Sequence, residues 1–223
     1  MRLKSWISAK LGMPEVRAEQ MRLVREWERK QADDRDLIEN DPLKAEVDAA
    51  SHMLDERPFD AFPKLLDLAE QGSVWSMVLV GWCFGSGTGV AQSAVQAEDW
   101  YRLAYEGGSQ YGLLLYAEYL DWRGDTNRLE SVYEAGWAKG LSPAVFRLTR
   151  MRLKATMTLA DRLAWKPALE WAGEAGHPGA RFLLAKYLSR GWFGARGVPR
   201  GIKLVAGMLA AILRGDEDRP RPA

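Results

Sequence analysis

The chain has 223 residues, enough for one domain or one array of repeats at roughly 100–200 residues per domain. Hydrophobic residues make up 47% and charged residues 27%, which excludes wholesale disorder and a membrane-embedded class, and the single cysteine, Cys83, excludes an internal disulfide or a multi-thiolate zinc site. The formal net charge of +1 hides a strong segregation: residues 1–30 carry eight Lys/Arg against four Asp/Glu, residues 31–146 eight against twenty, and residues 147–223 fifteen against six. Such a distribution selects partners rather than folds.

Residues 1–12 place Leu3, Trp6, Ile7 and Leu11 on one helical face, with Arg2, Lys4 and Lys10 nearby and Gly12 and Pro14 closing the segment. Lys4, Ser5, Ser8 and Lys10 interrupt the apolar core that a signal peptide needs. The face either caps the open end of the fold, which we favour, or lies weakly on a lipid surface together with a second contact. Residues 14–38 read as a long charged helix with Val24 and Trp27 on a thin apolar stripe, a cap or a partner-binding arm. Asp41-Pro42 opens a further helix over 42–57, on which Leu43, Val47, Ala50 and Leu54 recur at helical spacing. The most apolar stretch, residues 202–213, falls short of the about 20 residues that span a bilayer. The expected location is therefore the cytoplasm, at most peripheral to the inner face of a membrane. The tail, residues 215–223, is polar and proline-containing and is expected to be disordered.

Between these ends four segments align on a glycine: Gly72, Gly108, Gly140 and Gly176. Four places on stand Ser76, Gly112, Ala144 and Ala180, all small. Eight places on stand Val80, Tyr116, Leu148 and Leu184, and nine places on stand Gly81, Ala117, Thr149 and Ala185. Each glycine suits the end of a helix, where the backbone turns left-handed. The small residue of the next helix lets a neighbour approach closely, and a second helix runs on to the next glycine. Paired helices in units of about 34 residues form an α-solenoid, whose units bury their apolar faces only by stacking. The predicted fold is all-α, a right-handed superhelix of helix pairs over residues 39–214, with 1–38 as an N-terminal helical extension.

The unit from Gly72 to Gly108 contains Ser76, Val80-Gly81, Phe84, Gly87-Thr88-Gly89-Val90, Ala97 and Trp100-Tyr101. In this it resembles the SEL-one-like repeat family, a relative of the tetratricopeptide repeat. The last unit keeps Leu184-Ala185, Leu188, Gly191 and Gly197-Val198-Pro199, with an insertion from Trp192 to Arg196. The middle unit departs at its turn, Arg123-Gly124-Asp125, and the unit at Gly140 departs most, because Arg152 stands at an aromatic core position. The resemblance implies a non-catalytic adaptor that holds a partner in a concave groove.

Signals for catalysis are weak. Gly85-Ser86-Gly87-Thr88-Gly89 lacks the strand and the Lys-Ser/Thr pair of a phosphate loop. His52 and His177 have no neighbour at ligand spacing, and the sequence holds no nucleophile elbow. His177, in Gly-His-Pro-Gly at a repeat junction, reads as structural. No cofactor or metal is expected.

The groove register assigns Trp75, Val78 and Trp82; Tyr111, Leu114, Glu118 and Trp122; Phe146, Arg150 and Lys154; and Phe182, Lys186 and Arg190 to the concave face. Aromatic and Arg side chains of this kind supply interface hot spots. The remaining tryptophans, among them Trp27, Trp100, Trp137, Trp165 and Trp171, are expected in core or seams. Arg147, Arg150 and Lys154 share one helical face, a solvated strip or a docking strip. The expected partner is a protein or peptide with acidic and aromatic groups. Nucleic acid is disfavoured, because the acidic middle of the chain repels it.

Overall fold

The computed structural model describes residues 24–154 and 158–214, and every regular element among them is helical. The chain divides into two compact units, one from Ala32 to Leu141 and one that joins the N-terminal segment up to Gln31 with Ser142 onward. The first carries eight Lys/Arg against twenty Asp/Glu and the second twenty-three against ten; they are called the acidic and the basic unit below. Residues 1–23, which include the expected amphipathic segment and the start of the expected 14–38 helix, residues 155–157 and the tail 215–223 lie outside the described residues.

The helices in chain order are α1 (residues 24–31), α2 (Arg35–Glu39), α3 (Lys44–His52), α4 (Pro58–Glu70), α5 (Val74–Ser86), α6 (Ala94–Glu106), α7 (Gln110–Arg123) and α8 (Thr126–Ala138). They continue with α9 (Ser142–Lys154), α10 (Leu159–Glu174), α11 (Pro178–Ser189), a 3-10 turn at Ala195–Gly197 and α12 (Val198–Arg214). In the acidic unit α4 packs on α5, α5 on α6, and α6 on α7; in the basic unit α9 packs on α10, α10 on α11, and α11 on α12.

All four aligned glycines have positive φ: Gly72 at 103°, Gly108 at 102°, Gly140 at 72° and Gly176 at 94°. Each ends a helix with the paired bonds of a Schellman turn. Gly72 N–H donates to Ala69 and Ser73 N–H to Leu68, and His177 N–H donates to Ala172 beyond Gly176. The small residues follow as the repeat requires. Ser76, Gly112, Ala144 and Ala180 are buried, as are Gly81, Ala117, Thr149 and Ala185. At Gly81 the reason is geometric: a Cβ there would stand 2.7 Å from the Tyr101 ring, which packs onto the glycine face. Gly89, in the glycine-rich loop, presses against the Pro58 carbonyl, so the loop serves the turn between α5 and α6.

The expected long helix over 14–38 is broken: 24–31 is helical, 32–34 is not, and α2 then runs from Arg35 to Glu39. Asp34 explains the break. Its buried carboxylate accepts from Ser109 Oγ at 2.5 Å, from Gln110 N–H at 2.7 Å and from Tyr111 N–H at 3.2 Å. The first N–H groups of α7 have no partner within their own helix, and a carboxylate satisfies them better than continued helix would. Asp41 does similar work nearby. One oxygen accepts from Ser73 Oγ at 2.6 Å and the other from Leu43 N–H at 2.8 Å, so α3 begins at Lys44 rather than at Pro42.

Candidate functional site

The basic unit contains a buried ionic cluster built on α1, α9 and the start of α11. Glu28 accepts two bonds from Arg147, from Nε at 3.0 Å and from a terminal guanidinium nitrogen at 2.5 Å. His177 is the N-cap of α11, its Nδ1 accepting from Ala180 N–H at 3.3 Å. The proton is therefore on Nε2, which donates to Glu28 Oε1 at 3.0 Å. Burial pushes the Glu28 carboxyl up, but the hydrogen bonds from His177 and Arg147 outweigh it and hold its pKa below the ordinary value. Trp27 packs edge-on against the His177 ring at 5.0 Å. The cluster locks α1 onto the repeat. Arg147 thus belongs to a buried pair rather than to a solvated or docking strip.

The groove residues divide between the units. In the acidic unit Trp75 is half-buried, with its ring 6.1 Å from that of Tyr111. Val78 and Leu114 are buried between the helices, and Glu118 is half-buried. Two turns beyond Trp75, Trp82 is 45% exposed, and at the end of α7 Trp122 is 76% exposed. In the basic unit Phe146 is buried at 4.1 Å from the His177 ring, where the missing Cβ of Gly179 makes room for it. The Arg150 guanidinium lies 5.9 Å over the Phe146 ring, a cation–π contact that leaves Phe146 as a support. Phe182 and Arg190 are exposed and Lys186 is half-buried. Nothing is described of the Lys154 side chain, and Leu3, Trp6, Ile7 and Leu11 lie outside the described residues.

Other expectations resolve locally. Arg152 sits 5.8 Å over the Trp165 ring, so the aromatic missing from its own position is supplied by α10. The insertion after Gly191 folds inward, burying Phe193 and packing Trp192 at a tilt against Tyr187, ring centroids 4.6 Å apart. Trp137 and Trp171, expected in seams, are exposed, because each stands one residue off the buried face of its helix. The roles of Glu28 and Asp34, and the contact of the expected capping residue Asp41 with Ser73, are not foreseen by the sequence reading. Each acid meets a residue that starts a repeat, His177, Ser109 and Ser73 respectively, and the local sequence carries no signal for these distant pairings.

Among the described residues no group of three or more His, Cys, Asp or Glu is placed to hold a metal ion, and no helix is long and apolar enough to cross a membrane. Burial pushes the Cys83 thiol up to about 11, away from the reactive thiolate.

No protein-family model matches the chain, and no curated protein matches it in sequence. Solved structures do match in fold. One is a protective antigen of uropathogenic Escherichia coli strains displaying an SLR fold, with a TM-score of 0.61 and 20% identity over 76% of this chain and 39% of that one. Another is a Sel1 repeat protein from Oxalobacter formigenes, with a TM-score of 0.58 and 18% identity over 74% of each chain. With its glycine-ended helix pairs, this chain has the all-α solenoid fold of the Sel1-like repeat proteins.

Proposed function

We propose that the protein is a non-catalytic scaffold that binds a protein or peptide partner through the groove register of its repeats, as part of a larger complex. The observation that carries this reading is the exposure of large aromatics on the first helices of repeats, Trp82 on α5, Trp122 on α7 and Phe182 on α11. Indole and phenyl surface left in water is what an interface covers, and it supplies anchors of a few kcal/mol at most, about 2–4 each. In the basic unit Arg150, Lys186 and Arg190 accompany Phe182, a composition suited to acidic and aromatic groups on the partner.

The test is affinity capture from the native cell with the full chain, compared with Trp82→Ala, Trp122→Ala and Phe182→Ala. Phe59→Ala is the control, since Phe59 is 77% exposed but lies outside the groove register. A partner lost with the groove variants and kept with the control supports the reading. A partner kept by all of them sinks it.

A further inference from the structure

We propose that α12 docks on the surface of an anionic lipid bilayer, with Ile202 and Val205 seated below the headgroups and Arg196 and Lys203 among their charges. This surface lies outside the groove register and stands independently of the groove reading.

The observation behind it is a helix held at one end and bare beyond it. Arg200 pairs with Glu170 of α10. Gly201 is buried so tightly that a Cβ there would stand 2.2 Å from the Ser189 nitrogen at the end of α11. These two contacts fix the first turn of α12. From Ile202 to Gly207 every residue is then exposed. That stretch exceeds one full turn of about 3.6 residues, so none of its faces is covered by the described residues. It is nonetheless mostly apolar, with Ile202 58% exposed and Leu204 and Val205 36% each. Aliphatic surface grouped in this way marks a place that something covers.

Charge decides what covers it. From Ala175 to Gly215 the chain carries seven Lys/Arg and no Asp/Glu. Arg196, on the turn that leads into α12, and Lys203, within the bare stretch, are exposed, and among the described residues no carboxylate pairs with either. An anionic bilayer matches both features, since it offers headgroup charge at its surface and hydrocarbon about 5–10 Å beneath. The stems of Lys203 and Arg196 can follow the apolar surface while their charged ends stay at the headgroups. A second copy meeting this one through the same face would bring cations against cations and be repelled. The helix lies on the bilayer rather than through it, because no helix among the described residues is long and apolar enough to cross.

The experiment is co-sedimentation of the full chain with vesicles of phosphatidylcholine alone and of phosphatidylcholine mixed equally with phosphatidylglycerol. Binding is expected to the mixed vesicles at low salt, to fall as salt rises, and to be absent on phosphatidylcholine alone. Lys203→Gln and Arg196→Gln should each weaken it roughly fivefold. Ile202→Ser/Val205→Ser should weaken it about tenfold or more while the charge is unchanged. All four side chains are exposed or border on it, and circular dichroism with thermal melts checks that each variant is folded. Binding that ignores Ile202→Ser/Val205→Ser is diffuse attraction to a basic protein and overturns the proposal, as does equal binding to both vesicles or to neither. Loss of binding in Trp6→Ser with none in the α12 variants moves the lipid contact to the N-terminal segment and overturns it too. Concentration-dependent self-association in light scattering, abolished by Ile202→Ser/Val205→Ser without any vesicle binding, assigns the face to a second copy instead. None of these outcomes touches partner capture through Trp82, Trp122 and Phe182.

Discussion

Glu28 and His177 are 149 residues apart in sequence, yet Glu28 Oε1 lies 3.0 Å from His177 Nε2, with Arg147 bound to the same carboxylate. Removing one member of a buried ionic pair leaves the other charge uncompensated, at a cost of about 3–5 kcal/mol. Glu28→Ala is therefore expected to destabilise the protein by that amount in chemical denaturation. Glu28→Gln, which keeps the shape and part of the hydrogen bonding, is expected to cost less. Equal stability of Glu28→Ala and the parent contradicts the cluster.

The same carboxylate makes stability depend on pH. Its pKa is held below the ordinary 4.5 in the folded protein. A depressed acid stabilises the fold fully above its unfolded pKa and loses that contribution as pH falls through the lower folded one. Stability is thus expected to decline below about pH 4.5. In Glu28→Gln the decline should be shallower, as measured by melting temperature across an acid series.

Asp34 offers a second test, in the acidic unit. Asp34→Ala strips a buried carboxylate from Ser109 and from two N–H groups of α7, at a cost of roughly 1–3 kcal/mol. Ser109→Ala removes the N-cap itself, for about 1 kcal/mol. Because the two groups share a hydrogen bond at 2.5 Å, the double variant should cost less than the sum of the singles. Strict additivity in denaturant midpoints contradicts the coupling.

Gly81→Ala tests the close approach of α5 and α6. The new methyl meets the Tyr101 ring at 2.7 Å, and Tyr101 is buried, so neither group yields cheaply. Overpacking of this kind costs about 1–3 kcal/mol. Gly207→Ala, on α12 with open space around the glycine, is the control and should cost nothing.

Trp122→Ala separates binding from folding. A side chain this exposed contributes little to the core, so stability should stay within about 0.5 kcal/mol of the parent while partner capture falls. A large loss of stability would assign Trp122 to packing instead.

The repeat was legible in sequence because it is written in local terms. A left-handed helix end selects glycine at 72, 108, 140 and 176, and a close helix seam selects small residues at 81, 117, 149 and 185. Both constraints act within a few residues of the position they mark, so spacing alone exposes them. The groove register is less uniform: Trp82 and Trp122 are exposed, whereas Val78, Leu114 and Phe146 of the same register are buried. The tertiary structure alone decided the rest. Nothing near Arg147 in sequence reveals that Glu28 will bury it, and nothing near Asp34 reveals that its carboxylate ends one helix to satisfy the start of another. Phe146 and Arg150 stand four residues apart on one helix, yet one is core and the other lies over it, because the space that admits the ring comes from Gly179. Helix ends and seams are set by neighbours along the chain; buried charges and their partners are set by whatever the fold brings within about 3 Å, because a charge taken out of water must be met there or the fold does not hold.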